Sequence, residues 1–140
     1  MSLSDIRVAL RSYLLADNSI AAIVGTRIYP VKLPQGTTLT SVVYTRISGL
    51  SGVTSSGRER LSRPRIQIDC WSQQVDDAAT LADLVKERID GLRGAIQWDD
   101  NSPGNAVTVQ GVFMDMERED YDDAAKLHRV SRDYIVWFEE

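Results

Sequence analysis

Near the start of the chain, apolar residues recur at helical spacing: Leu3, Ile6, Leu10, Tyr13 and Leu14 share one side, with Arg7 and Arg11 on the other. Ser2 or Ser4 can cap that helix, and Asp5 sits where the positive end of the helix dipole favours a carboxylate. Asp17, Asn18 and Ser19 break the pattern, and residues 20–24 then read as a short second helical turn closed by Gly25. In the RIYPVKLPQG segment that follows, two prolines predict an extended crossing without regular structure. SVVYTRIS (41–48) is β-branched and alternating, which predicts a strand. Residues 49–57 hold three glycines and several Ser/Thr, which predicts a mobile loop or hairpin tip.

The clearest strand is 65–71, with Ile66, Ile68 and Cys70 on one face and Gln67, Asp69 and Trp71 on the other. A long helix is predicted over 75–92, its inner stripe Ala78, Leu81, Ala82, Val85, Ile89 and Leu92. Asp76 and Asp77 begin it, Lys86 and Arg88 lie near its end, and Gly91 and Gly94 mark the stop. DDNSPGN is a turn cluster. Two further strands, 106–117 and 129–138, are joined by an acidic loop. The order α-β-β-α-β-β predicts an α+β fold over residues 1–140 as a single domain, with an antiparallel sheet of about four main strands packed against two helices.

Composition agrees with one soluble domain. The 140 residues are 43% hydrophobic and 26% charged, enough for a core without staples. No apolar run is longer than the five residues of 20–24, too short to cross a membrane, so no membrane partner is expected. The N-terminus lacks the basic start and apolar stretch of a secretory signal. A lone cysteine excludes an intramolecular disulfide and fits a reducing cytosol.

Charge changes the picture more. Residues 1–70 carry nine Lys/Arg against four Asp/Glu, and residues 71–140 carry seven against sixteen. The basic excess is densest in GRERLSRPR, at Arg58, Arg60, Arg63 and Arg65; the acidic excess is densest in DMEREDYDD, at Asp115, Glu117, Glu119, Asp120, Asp122 and Asp123. These are two solvated segments, or complementary patches that meet between copies of the chain. No aromatic residue is interleaved with the arginines and the chain is acidic overall, which argues against sequence-specific nucleic-acid binding.

Catalytic parts are scarce. His128 is the single histidine, placed just before a strand; Cys70 alternates inward and reads as an inert buried thiol. SGLSG lacks the spacing of a nucleophile elbow. Gly52 and Gly57 have phosphate-loop spacing, but Arg58 and Glu59 stand where Lys and Ser/Thr are required. The DYDD segment lacks the glycine and ligand ladder of a calcium loop. Trp71, Trp98 and Trp137 read as packing or subunit-contact residues. No catalytic residue, cofactor or metal is expected, and the chain reads as a non-enzymatic binding or structural part.

The opening helix, ADNSIAAIVGTRIYPVKLPQG, SVVYTRISG, RIQIDCWSQQVDDAATLADLVKERI and SRDYIVWFEE, in that order, resemble the small tail-completion or tail-terminator proteins of long-tailed phages and prophages. VGTRIYP followed by PQG is the most distinctive piece; the departure is Thr40-Ser41 where the family often has proline. The resemblance implies a homo-oligomeric ring, usually a hexamer, that caps the head-proximal end of the tail tube and stops its polymerisation. It implies the tail tube protein and the head–tail connector protein as partners, DNA passing through the lumen, and residence in the bacterial host cytoplasm during assembly and then in the virion. A ring needs a head-to-tail interface, for which segregated opposite charges are suited. The candidate subunit or tube interface is therefore the ten charged residues above, and the candidate flexible docking loop holds Gly49, Gly52 and Gly57. A head-completion or neck protein of the same joint, and a small cytosolic ligand-binding module or enzyme, are the competing readings.

Overall fold

The computed structural model describes residues 3–48, 51–54, 57–97 and 106–139. Helix α1 (Leu3–Leu15) forms where the apolar spacing places it and buries Ile6, Ala9, Leu10 and Leu14. Its Arg11 leaves the apolar side and donates to the carbonyls of Ile28 (3.0 Å) and Thr26, which ties the helix to the chain entering the sheet. Helix α2 (Asn18–Val24) starts at Asp17, whose carboxylate accepts from the Ser19 and Ile20 amides. Helix α3 (Val75–Ile89) buries Ala78, Leu81, Ala82, Val85 and Ile89, with Asp76 and Asp77 in its first turn and Lys86 and Arg88 in its last.

Eight strands form one sheet: β1 (Ile28–Pro30), β2 (Ser41–Ser48), β3 (Ser51–Thr54), β4 (Gly57–Ser62), β5 (Arg65–Ser72), β6 (Gly94–Gln97), β7 (Ala106–Asp122) and β8 (Leu127–Glu139). β4 and β5 follow one another along the same side of β8, parted by Arg63 and Pro64, whose carbonyl still accepts from the Val136 amide (3.0 Å). β3 and β2 flank them in turn. On its other side β8 pairs with β7, and β7 with β6.

One sheet face lies under the helices. Cys70 pairs with Val130, Ile68 with Arg132 and Ile66 with Tyr134, and all six are buried there with Val112, Val136 and Phe138. The opposite parity, Gln67, Asp69 and Trp71 with Arg129, Ser131 and Asp133, faces away.

The four predicted main strands are β2, β5, β7 and β8, but the sheet has eight strands and the helices number three among the described residues. Nor is the sheet all antiparallel, because β1 runs parallel to β2. Proline does not prevent that strand: Pro30 is its last residue, and the following amide, of Val31, donates to Tyr44. The segment predicted as an acidic loop continues β7 to Asp122, leaving a four-residue turn before β8. Residues 51–54 and 57–62 pair as a hairpin, with Val53 opposite Arg58 and Thr54 opposite Gly57. Gly49 and Trp98 lie outside the described residues.

Candidate functional site

The face of the sheet away from the helices carries a continuous polar band. Strand alternation puts Arg65, Gln67 and Asp69 on this side of β5 and Arg129, Ser131 and Asp133 on this side of β8, while β7 contributes Met116, Arg118 and Asp120. Asp115, the extra residue at a bulge between Met114 and Met116, joins them. Arg65 bridges Asp115 and Asp133, the latter at 3.1 Å. Arg118 lies 3.8 Å from Asp133 and donates to Gln67 (3.0 Å), whose amide donates to Asp69 (2.8 Å). Arg129 closes the run, 3.9 Å from Asp69 and hydrogen-bonded to Asp120 through Nε (2.8 Å).

Three guanidiniums thus alternate with four carboxylates across three strands. The hydrogen bond that Arg65 donates to Asp115 raises the Arg65 pKa, and the one that Arg129 donates to Asp120 raises the Arg129 pKa, so both stay charged throughout the usable pH range. The Asp69 and Asp133 side chains are only 7% and 8% exposed, so the interior of the band is shielded while its ends are open to solvent. Such an arrangement orients charges but offers no free base, because each of its carboxylates lies against a guanidinium.

Beside the band lies a cleft of about 640 Å³ between the 31–38 segment and the turn after β7, with Val43, Asp69, Trp71 and Arg129 among its walls. Val31 at its rim has φ +70°, a strained conformation for a β-branched residue. It is held there by its amide donating to the Tyr44 carbonyl and its carbonyl accepting from the Thr45 hydroxyl.

The other reactive side chains are placed elsewhere. Cys70 is 1% exposed under the helices, and burial pushes its thiol pKa up, the opposite of activation. His128 packs against Tyr121 with ring centroids 4.8 Å apart and the ring planes tilted by 55°. Among the described residues no cluster of His, Cys, Asp or Glu has the arrangement of a metal site, and no helix is long and apolar enough to cross a membrane.

The candidate interface residues fall into different settings. Arg65 and Asp115 pair with each other inside one chain, Asp120 pairs with Arg129, and the Asp122 carboxylate caps the turn amides of Ala124 and Ala125. Arg63 lies over the Trp137 ring at 5.1 Å. Glu117 bonds Arg132 (3.2 Å), which crosses to Asp83 on α3 (2.8 Å). Arg58 and Arg60 occupy β4 and Gly52 and Gly57 the β3–β4 hairpin, while Glu119 and Asp123 are exposed. Sequence reasoning missed Arg118, Arg129, Arg132, Gln67, Asp69 and Asp133 as partners. Only the polar side of the 65–71 alternation pointed to two of them.

A family model described as tail completion protein gp17 matches residues 8–139. No curated protein matches the chain. Among solved structures, a chain of the virion of a native gene transfer agent particle superposes with a TM-score of 0.72 at 16% identity, covering 94% of this chain and 92% of that one. At that identity the likeness shows a shared fold.

Proposed function

The chain belongs to the tail completion protein gp17 family, and we propose that it is a tail terminator: a ring of copies that caps the head-proximal end of the tail tube, halts tube polymerisation and presents a surface to the head connector. A structural role in tail completion, rather than catalysis, follows from the family. The observation that carries the finer reading is the family match over residues 8–139. The fold seen in a chain of a gene transfer agent virion supports it.

A terminator must bind a growing end and its own copies at once, so it needs several surfaces on a rigid frame. The sheet supplies them: a helix-covered side, an open charged side and two edges of different composition. Assembly takes place in the host cytoplasm, and the finished protein resides at the top of the tail.

The test is electron microscopy of particles made by a phage lacking this gene. Tubes that overrun their normal length identify a terminator. Tails of normal length left unattached to heads overturn that reading and place the protein on the head side of the joint. Adding the purified protein to polymerising tail tube protein must also arrest growth.

A further inference from the structure

Among the described residues, strand β7 is paired with β8 from Val109 to Asp122 but with β6 only over Ala106–Val109. Beyond that, the loop after α3 covers part of its outer edge: Gly91 donates to the Val112 carbonyl (2.8 Å) and the Asp90 carboxylate accepts from the Met114 amide (3.1 Å). Those contacts also establish which backbone groups point outward. On β8 the partners of Val112 and Met114 are Val136 and Tyr134, and the alternation continues through Arg132, Val130 and His128. Their partners Glu117, Glu119 and Tyr121 therefore direct N–H and C=O away from β8, and among the described residues no strand receives them.

Among the described residues, the opposite side of the sheet has a second open stretch. β1 covers β2 only from Val42 to Tyr44, and by the same alternation Arg46, opposite Ile66, turns its backbone outward. β3 continues that edge, and β4 beneath it carries Arg58 and Arg60. One open stretch is acidic and the other is flanked by arginines. Two acidic edges would repel, so pairing of like with like is disfavoured, whereas acidic-to-basic pairing is not.

Resting on the ring reading, we propose that the Glu117–Tyr121 edge of β7 pairs with the Arg46–β3 edge of a second copy, so that the sheet runs continuously from one subunit to the next. Strand directions agree with this. Counting across the antiparallel pairs from β2 through β5 and β8 to β7, β7 runs opposite to β2, and sheets laid side by side with the same face inward meet antiparallel. The open stretches lie at opposite ends of the sheet, since Met116 is level with Thr45 through Asp133 and Gln67. Joining them imposes a constant stagger along the strands, which a closed ring accommodates by tilting its strands against the ring axis. The contact is heterologous and uses the acidic and basic segments in one interface.

The experiment combines native mass spectrometry of the wild-type protein with disulfide trapping. Glu119→Cys and Val53→Cys are made singly and together; Cys70, 1% exposed, stays out of the reaction. The double variant is expected to give a ladder of cross-linked oligomers on non-reducing gels, with each single variant giving at most a tenth as much. Scanning the second cysteine over 51–54 allows for a shift of register. Glu119→Pro, which removes an outward N–H, should leave the thermal transition in place and abolish the oligomer. A ring in native spectra with no cross-link at any scanned position, and with Glu119→Pro still assembled, overturns edge pairing and leaves the ring standing. A monomer at every concentration, with tubes present or absent, overturns the ring and the pairing together.

Discussion

Asp133 holds the centre of the polar band, accepting from Arg65 at 3.1 Å and lying 3.8 Å from Arg118, with only 8% of its side chain exposed. Asp133→Ala leaves two guanidiniums facing a buried gap, and the expected cost is about 1–3 kcal/mol by urea titration. Tyr134 is a contrasting case. Its hydroxyl is buried near Arg132 without hydrogen-bond geometry, so Tyr134→Phe should leave stability unchanged or raise it by up to about 1 kcal/mol.

Burial raises the pKa of both Cys70 and Tyr134 above their ordinary values of 9.0 and 10.0. Above pH 9 the unfolded chain therefore releases protons that the folded chain retains. Stability is fully present below that pH and falls as pH rises further. Thermal melts should show this decline, and the Cys70→Ala, Tyr134→Phe double variant should show a shallower one.

The elements differ in how much of their making is local. Asp17 caps α2 through two amides, and Asp17→Ala is expected to cost about 1 kcal/mol in a thermal melt. β5 was legible because Ile66, Ile68 and Cys70 alternate with polar residues, which is the period of a strand with one buried face. β7 was legible only to Glu117. Its acidic continuation lacks apolar alternation and is held by cross-strand pairs, Glu117 with Arg132 and Asp120 with Arg129, which exist only once β8 lies alongside. β1 was hidden by its proline, since three residues at a sheet edge give no periodic signal. Val31, at φ +70°, marks where that strand must turn; Val31→Gly should stabilise by about 1 kcal/mol in the same melts.

At the scale of the molecule, the basic and acidic halves of the sequence become two sides of one sheet, with β1 to β5 from the first half and β7 and β8 from the second. Reversing Arg58, Arg60 and Arg63 to Glu is expected to weaken oligomers in native mass spectra, most at low salt, where attraction is least screened. Unchanged assembly of that variant would separate the arginines from the interface. The sequence alone determined the two long helices, the four main strands, the inward face of β5 and the family, because periodicity, caps and motif order are properties of neighbouring residues. The tertiary structure alone decided which charges meet. Arg65 joins Asp115 across 50 positions and Asp133 across 68, and β7 has an open edge among the described residues because β6 and the loop after α3 stop short of Glu117. Register sets these relations, and register comes from packing a whole sheet against its helices, which no local stretch of sequence encodes.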